Sequence, residues 1–275
     1  MKSHLFAVLG LAALVTAAST GCAANDEAAE QPGEGASEDD LTARQLPGVV
    51  AVEIAQVRAQ TTVLSVKTLG APKKVKSILT GVKKLRASDP MPRCFERDTE
   101  RLTFLDQAGK KIATVGSYCG GFGDISFENG SPGYGVKFNM AAVDAAKTAP
   151  FAVGDALWGI TKIELSKPGS ADKRTLTGGK MPDVLAGVDL DEVPDASASF
   201  PRCLPSHAVT FMRGEAEVAF TSFICGSTTA ATAPASVKAS FTAVDPAAGP
   251  DSPSLAHGAI QLDPRPVIQA FSTTR

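Results

Sequence analysis

Three histidines, five cysteines and a cluster of acidic residues are the groups in this chain that could do chemistry. His207 directly follows Ser206. A nucleophilic Ser–His pair needs a third group to orient the imidazole and an oxyanion site, and adjacency in sequence supplies neither, so the pair reads as a surface turn. His4 belongs to the leader and His257 to a Pro-rich stretch, DPAAGPDSPSLAHG. Neither GxSxG nor HExxH occurs. Gly179-Lys180 ends as a phosphate loop ends, but Arg174 stands where its first Gly belongs and Met181 where Ser or Thr should follow. Gly120-Gly121-Phe122-Gly123 lacks the strand-to-helix setting of a dinucleotide loop and reads as a turn or bulge. Asp189-Leu190-Asp191-Glu192 begins like a calcium loop, yet Val193 occupies the next ligand position. No catalytic, cofactor-binding or metal-ligating residue emerges, and no cofactor is expected. A hydrolase using carboxylates or His207 is the competing enzymatic reading.

The cysteines carry more information. Five is an odd number, and an odd cysteine in an exported chain needs an explanation. Setting Cys22 aside leaves Cys94, Cys119, Cys203 and Cys225. A repeat selects their pairing. Pro92-Arg93-Cys94 matches Pro201-Arg202-Cys203, Leu102-Thr103-Phe104 matches Val209-Thr210-Phe211, and Cys119-Gly120 matches Cys225-Gly226. The order is the same and the cysteine spacing differs by three residues. Each copy is therefore expected to close its own bridge, 94–119 and 203–225, stabilising it by about 3–4 kcal/mol in the chain-entropy model. The four thiols form no CxxC pair, which argues against zinc and against redox chemistry.

Cys22 has its own setting. Leu5 to Val15 is an apolar run of 11 residues, well short of the about 20 that span a bilayer and proportioned like a secretory signal core. Ser19-Thr20-Gly21-Cys22 follows it. This stretch resembles the lipobox of bacterial lipoproteins, with Ser19 where Leu is usual. The resemblance implies a leader over 1–21, a lipid on Cys22, and a membrane as partner through that lipid. By analogy with lipoprotein sorting, Ala23 implies the outer membrane. Residues 22–46 hold seven acidic residues and one Arg. They read as a disordered tether that cannot bury enough apolar surface to offset its ordering entropy.

The elements that must position these groups follow from pattern. A first copy is expected over 47–150 and a second over 151–245, with a Pro-rich tail over 246–275. In copy one, Thr62–Val66 reads as a strand, and Val75, Ile78, Leu79, Val82 and Leu85 recur at helical spacing behind Pro72. A hairpin, 102–105 with 112–119, follows, and further strands are expected near 124–128 and 134–139. In copy two, Ile160–Leu165 reads as the matching first strand and a shorter helix follows Pro182. A hairpin, 209–212 with 218–225, and a strand near 236–243 complete that copy. The expected fold class is α+β: two tandem repeats, each a helix packed on an antiparallel sheet and carrying one disulfide. The layout resembles that of the secreted β-lactamase-inhibitor proteins, a likeness of arrangement without a shared motif.

Charge divides unevenly. Residues 47–150 hold 15 basic and 9 acidic residues, and residues 151–275 hold 10 basic and 13 acidic. Lys73, Lys74, Lys76, Lys83, Lys84 and Arg86 crowd the first helix. They are the candidate interaction face, for anionic headgroups, an anionic surface or an acidic envelope protein. The matching part of copy two carries Asp183, Asp189, Asp191, Glu192 and Asp195. Two other readings are solvated helix faces and opposite charges that align the copies. A pI near 6.0 and lysines without interleaved aromatics exclude nucleic acid as a partner. The functional expectation is a lipid-anchored, non-catalytic interaction or structural module of the cell envelope. A small-ligand site between the repeats, marked by an apolar cavity at their junction, is the alternative binding reading.

Overall fold

The computed structural model describes residues 46–58, 62–85, 89, 98–119, 121–200, 204–224, 226, 229–247 and 253–272, the side chains of 98, 99 and 117–119 aside. The fold is α+β, with two antiparallel sheets and a few short helices.

The first sheet has seven strands: β1 Ala51–Arg58, β2 Thr62–Leu69, β3 Val82–Lys84, β4 Asp98–Leu105, β5 Lys111–Cys119, β6 Phe122–Phe127 and β7 Tyr134–Phe138, in the order β2-β1-β4-β5-β6-β7-β3. Period-two alternation puts Val52 and Ile54 of β1, Leu102 and Phe104 of β4, and Ala113 and Val115 of β5 in one core. Helix α1, Pro72–Thr80, and helix α2, Met140–Thr148, contribute Val75, Ile78, Val143 and Ala146 to that core. Pro72 sits in the first turn, where its missing N–H leaves no bond unmade.

The second sheet has six strands: β8 Lys162–Ser166, β9 Lys173–Thr177, β10 His207–Arg213, β11 Ala216–Phe223, β12 Val237–Ala243 and β13 Ala256–Leu262, in the order β13-β12-β11-β10-β8-β9. Helix α3, Val153–Leu157, helix α4, Met181–Leu185, and helix α5, Arg265–Ser272, contribute Val153, Leu157, Val184, Val267 and Ile268 to a core with Phe211 and Phe241.

In each sheet the second strand of the opening hairpin is an edge. The first strand lies next to it, and four strands then follow in chain order. In each, the chain after the helix that follows the hairpin returns to the far edge. Val82 pairs with Phe138 and Val188 with Leu262. A glycine precedes both returning residues. The Gly81 carbonyl accepts the Asn139 N–H at 3.1 Å, and the Gly187 carbonyl accepts the Asp263 N–H at 2.8 Å.

Several expectations need correcting. Helix α1 stops at Thr80. Val82, expected on the helix, begins β3, because the Gly81 turn delivers the chain to the edge of β7. Lys83 and Lys84 are therefore strand residues. Strand β1, which no pattern argument supplied, sits between β2 and β4. The strand beside the second hairpin, β8, thus corresponds in position to β1, whereas Thr62–Val66 belongs to the edge strand β2. The Pro-rich tail is a structural part of the second sheet. Strand β13 pairs with β12 along seven residues, and α5 covers the core. Its prolines misled because Pro264 and Pro266 flank the start of α5, where proline is tolerated and Asp263 accepts the Arg265 N–H at 2.9 Å.

Ile268 is 2% exposed, so Ile268→Ala is expected to cost about 2–5 kcal/mol. The urea midpoint of the protein measures it; a dispensable tail would give no change.

Candidate functional site

The described residues of both sheets belong to one compact unit. Where the end of β2 and the start of α1 meet α3, two backbones come as close as glycine allows. A Cβ on Gly70 would lie 2.4 Å from the Gly154 carbonyl oxygen, and a Cβ on Gly154 would lie 2.8 Å from Ala71 Cα. The contact is held by one carboxylate. Asp155 Oδ1 accepts the N–H groups of Gly70 and Ala71 at 3.0 and 3.1 Å, and Oδ2 accepts that of Ala152 at 3.0 Å. The Lys74 ammonium pairs with Oδ2 and also donates to the Pro150 carbonyl at 2.7 Å. The Asp155 and Lys74 side chains are 2% and 11% exposed. A buried charge is tolerated only when its hydrogen-bonding capacity is filled; here three N–H groups and an ammonium fill it.

A second carboxylate works at the same helix start. Asp191, from the loop after α4, accepts the Lys73 backbone N–H at 2.8 Å and lies 3.9 Å from the Lys73 ammonium. That ammonium is 83% exposed, so the ion pair adds little. The bond to the backbone caps one of the first N–H groups of α1 and sets a negative charge at its positive end.

Beyond this joint opens a cleft of about 430 Å³. Its walls include Val49, Val75, Leu79, Leu157, Trp158 and Leu190. Trp158, the chain's only tryptophan, is fixed from behind. The Arg213 guanidinium lies 3.9 Å from its ring centroid and donates to the carbonyls of Ala156 and Trp158 at 3.1 and 2.7 Å. Burial pulls the Arg213 pKa down from its ordinary value. Its Nε is buried with no hydrogen-bond partner among the described residues. A second cleft, about 530 Å³, lies on β11 and β12 and is bordered by Phe200, Pro205 and Lys238.

The six residues of the expected basic face do not share one surface. Lys74 is buried in the joint, Lys73 pairs with Asp191, and Lys76 borders the cleft. Lys83 and Lys84 are on β3, with the Lys84 ammonium 5.4 Å from the Tyr134 ring centroid. Arg86 lies outside the described residues, as do Cys22, Cys94, Cys203 and Cys225 and the side chain of Cys119. The acidic residues turn to backbone N–H groups rather than to a common point. Asp189 accepts Asp191 N–H at 2.9 Å, Glu192 accepts Gln261 N–H at 2.9 Å, and Asp195 accepts Ser197 N–H at 2.9 Å. Among the described residues no set of His, Cys, Asp and Glu has the geometry to hold a metal.

His207 is no surface turn. It opens β10, is 7% exposed, and stacks on Phe223 with centroids 5.2 Å apart. Phe271 of α5 packs at 5.7 Å on the same ring, and Ser206 Oγ lies 2.9 Å from Nδ1. No carboxylate among the described residues bonds to the imidazole. Burial, and then the Lys167 charge, hold the His207 pKa below its ordinary value. Among the described residues no helix is long and apolar enough to cross a membrane. Comparison with family models, with curated proteins and with solved structures finds no match.

Asp155→Ala is expected to cost about 3–5 kcal/mol, because it strands the Lys74 ammonium and three N–H groups. Lys74→Met is expected to cost less, since the three N–H groups still hold the carboxylate. Chemical denaturation of both variants separates the two effects. The His207 shift has a definite sign. The unfolded chain binds the proton more readily, so this group's contribution to stability is complete above the unfolded value near 6.5 and is lost as pH falls below it. His207→Phe is expected to flatten the stability profile between about pH 7 and 5 relative to wild type, measured by urea titrations across that range.

Proposed function

We propose that the chain is an exported, lipid-anchored protein, tethered through Cys22, that binds a small ligand without transforming it. In this reading the body is two copies of one unit: hairpin, helix, four strands and a closing helix. The strand order, the same in both sheets apart from the added β3, supports it, as do the matched returns Gly81-Val82 and Gly187-Val188 and the Pro-Arg-Cys repeated in the sequence. The bridges 94–119 and 203–225 then lie within copies, and the ligand site lies between them. The apolar leader and the Ser19-Thr20-Gly21-Cys22 stretch support export and anchoring, with the cell envelope as the location.

The observation that carries the binding reading is the cleft at the joint. Its walls are mostly apolar, its floor is fixed by the Gly70–Gly154 approach, and its volume of about 430 Å³ falls within the about 300–1,000 Å³ of small-molecule sites. Among the described residues its lining contains no pair of titratable groups with which to catalyse a reaction.

Nile red, a neutral apolar dye, provides the test. It is expected to bind once per chain and to quench Trp158 by energy transfer. Leu79→Asp, which sets a charge in the wall, is expected to weaken binding at least about tenfold. Binding that Leu79→Asp leaves intact, or that leaves Trp158 emission unchanged, would overturn this assignment.

A further inference from the structure

Three lysines stand in the first two turns of α1, and the joint uses them differently. Lys74 is committed to Asp155 and Lys73 to Asp191. Among the described residues the Lys76 ammonium has neither a hydrogen-bond nor an ion-pair partner, and Lys76 is the only charged one of them that lines the cleft. Among the described residues no acidic side chain lines it. Every other lining residue is apolar or glycine, apart from the amide of Gln107. Pockets of this kind orient a ligand through a few polar groups while apolar walls supply most of the affinity. A single flexible ammonium is a point charge, without the fork of an arginine or the cradle of backbone N–H groups that a phosphate dianion favours.

We infer that the cleft takes an amphipathic monocarboxylate, with its hydrocarbon body against Val75, Leu79, Leu157 and Trp158 and its carboxylate at the Lys76 ammonium. This rests on the reading of the cleft as a binding site. One face of the Trp158 ring is already covered by Arg213, so the indole offers the ligand a single side, enough for an alkyl chain to lie along. A cationic ligand with the same body would meet Lys76 as a like charge, and a neutral one would gain nothing from it.

Displacement of Nile red from the full folded domain, followed at Trp158, compares decanoate, decan-1-ol and decylamine below their solubility limits. Decanoate is expected to bind about five- to tenfold more tightly than decan-1-ol, and decylamine more weakly than either. Lys76→Gln is expected to bring decanoate level with decan-1-ol while leaving decan-1-ol unchanged. Because Lys76 is exposed and makes no structural bond through its side chain among the described residues, the variant should keep the wild-type denaturation midpoint. Equal affinity for acid and alcohol, or a preference that survives Lys76→Gln, overturns the ligand class while the site stands. So does dye binding that none of the three compounds displaces. Failure of Nile red itself to bind the wild-type chain overturns the site, and the ligand class with it.

Discussion

One carboxylate holds the two sheets in register. Asp155 lies at the start of a five-residue helix of the second half, and its oxygens gather two N–H groups at the start of α1, one at its own helix start, and the Lys74 ammonium. Burying a carboxylate costs several kcal/mol unless each lone pair finds a donor. Here the donors come from both sides of the joint, so the charge is satisfied only while the halves are together. The close Gly70–Gly154 approach depends on the same geometry, since neither position has room for a Cβ. The cleft follows from that floor: two backbones in contact, with side chains diverging above them.

The charge pattern acquires a meaning at this joint that it lacks as a surface property. The first half is rich in lysine and the second in acid, and two of those acids reach α1, one at its backbone and one at a buried ammonium. The contacts between the halves run chiefly through carboxylates on N–H groups rather than through exposed ion pairs, which stabilise little. Lys76 is left over at the cleft. His207, the residue most suggestive of catalysis by type, is spent on packing between Phe223 and Phe271.

Much of the sheet architecture was legible in sequence because its signals are local. The hairpins β4–β5 and β10–β11 turn at Gly109 and Gly214, both with positive φ, between alternating apolar runs. Helix α1 was legible from Pro72 and the spacing of Val75 and Ile78. Asp155 was not. It stands in Val153-Gly154-Asp155-Ala156-Leu157 like any helix-start acid, and its partners across the joint, Gly70, Ala71 and Lys74, lie more than 80 residues away in the chain. Strand β1 was hidden because its apolar residues, Ala51, Val52, Ile54, Ala55 and Val57, do not alternate strictly, and α5 by the prolines at its start. Helical periodicity ran past Gly81 because Val82 and Leu85 keep the spacing, whereas the pairing of Val82 with Phe138 decided the conformation.

Amide hydrogen exchange tests the central claim most directly. If the Asp155 carboxylate fastens the two halves, the N–H groups of Gly70, Ala71 and Ala152 should exchange only with the cooperative opening of the β4 and β5 core amides, and at a common free energy. Rapid exchange of Gly70 and Ala71 while β4 and β5 remain protected would contradict it.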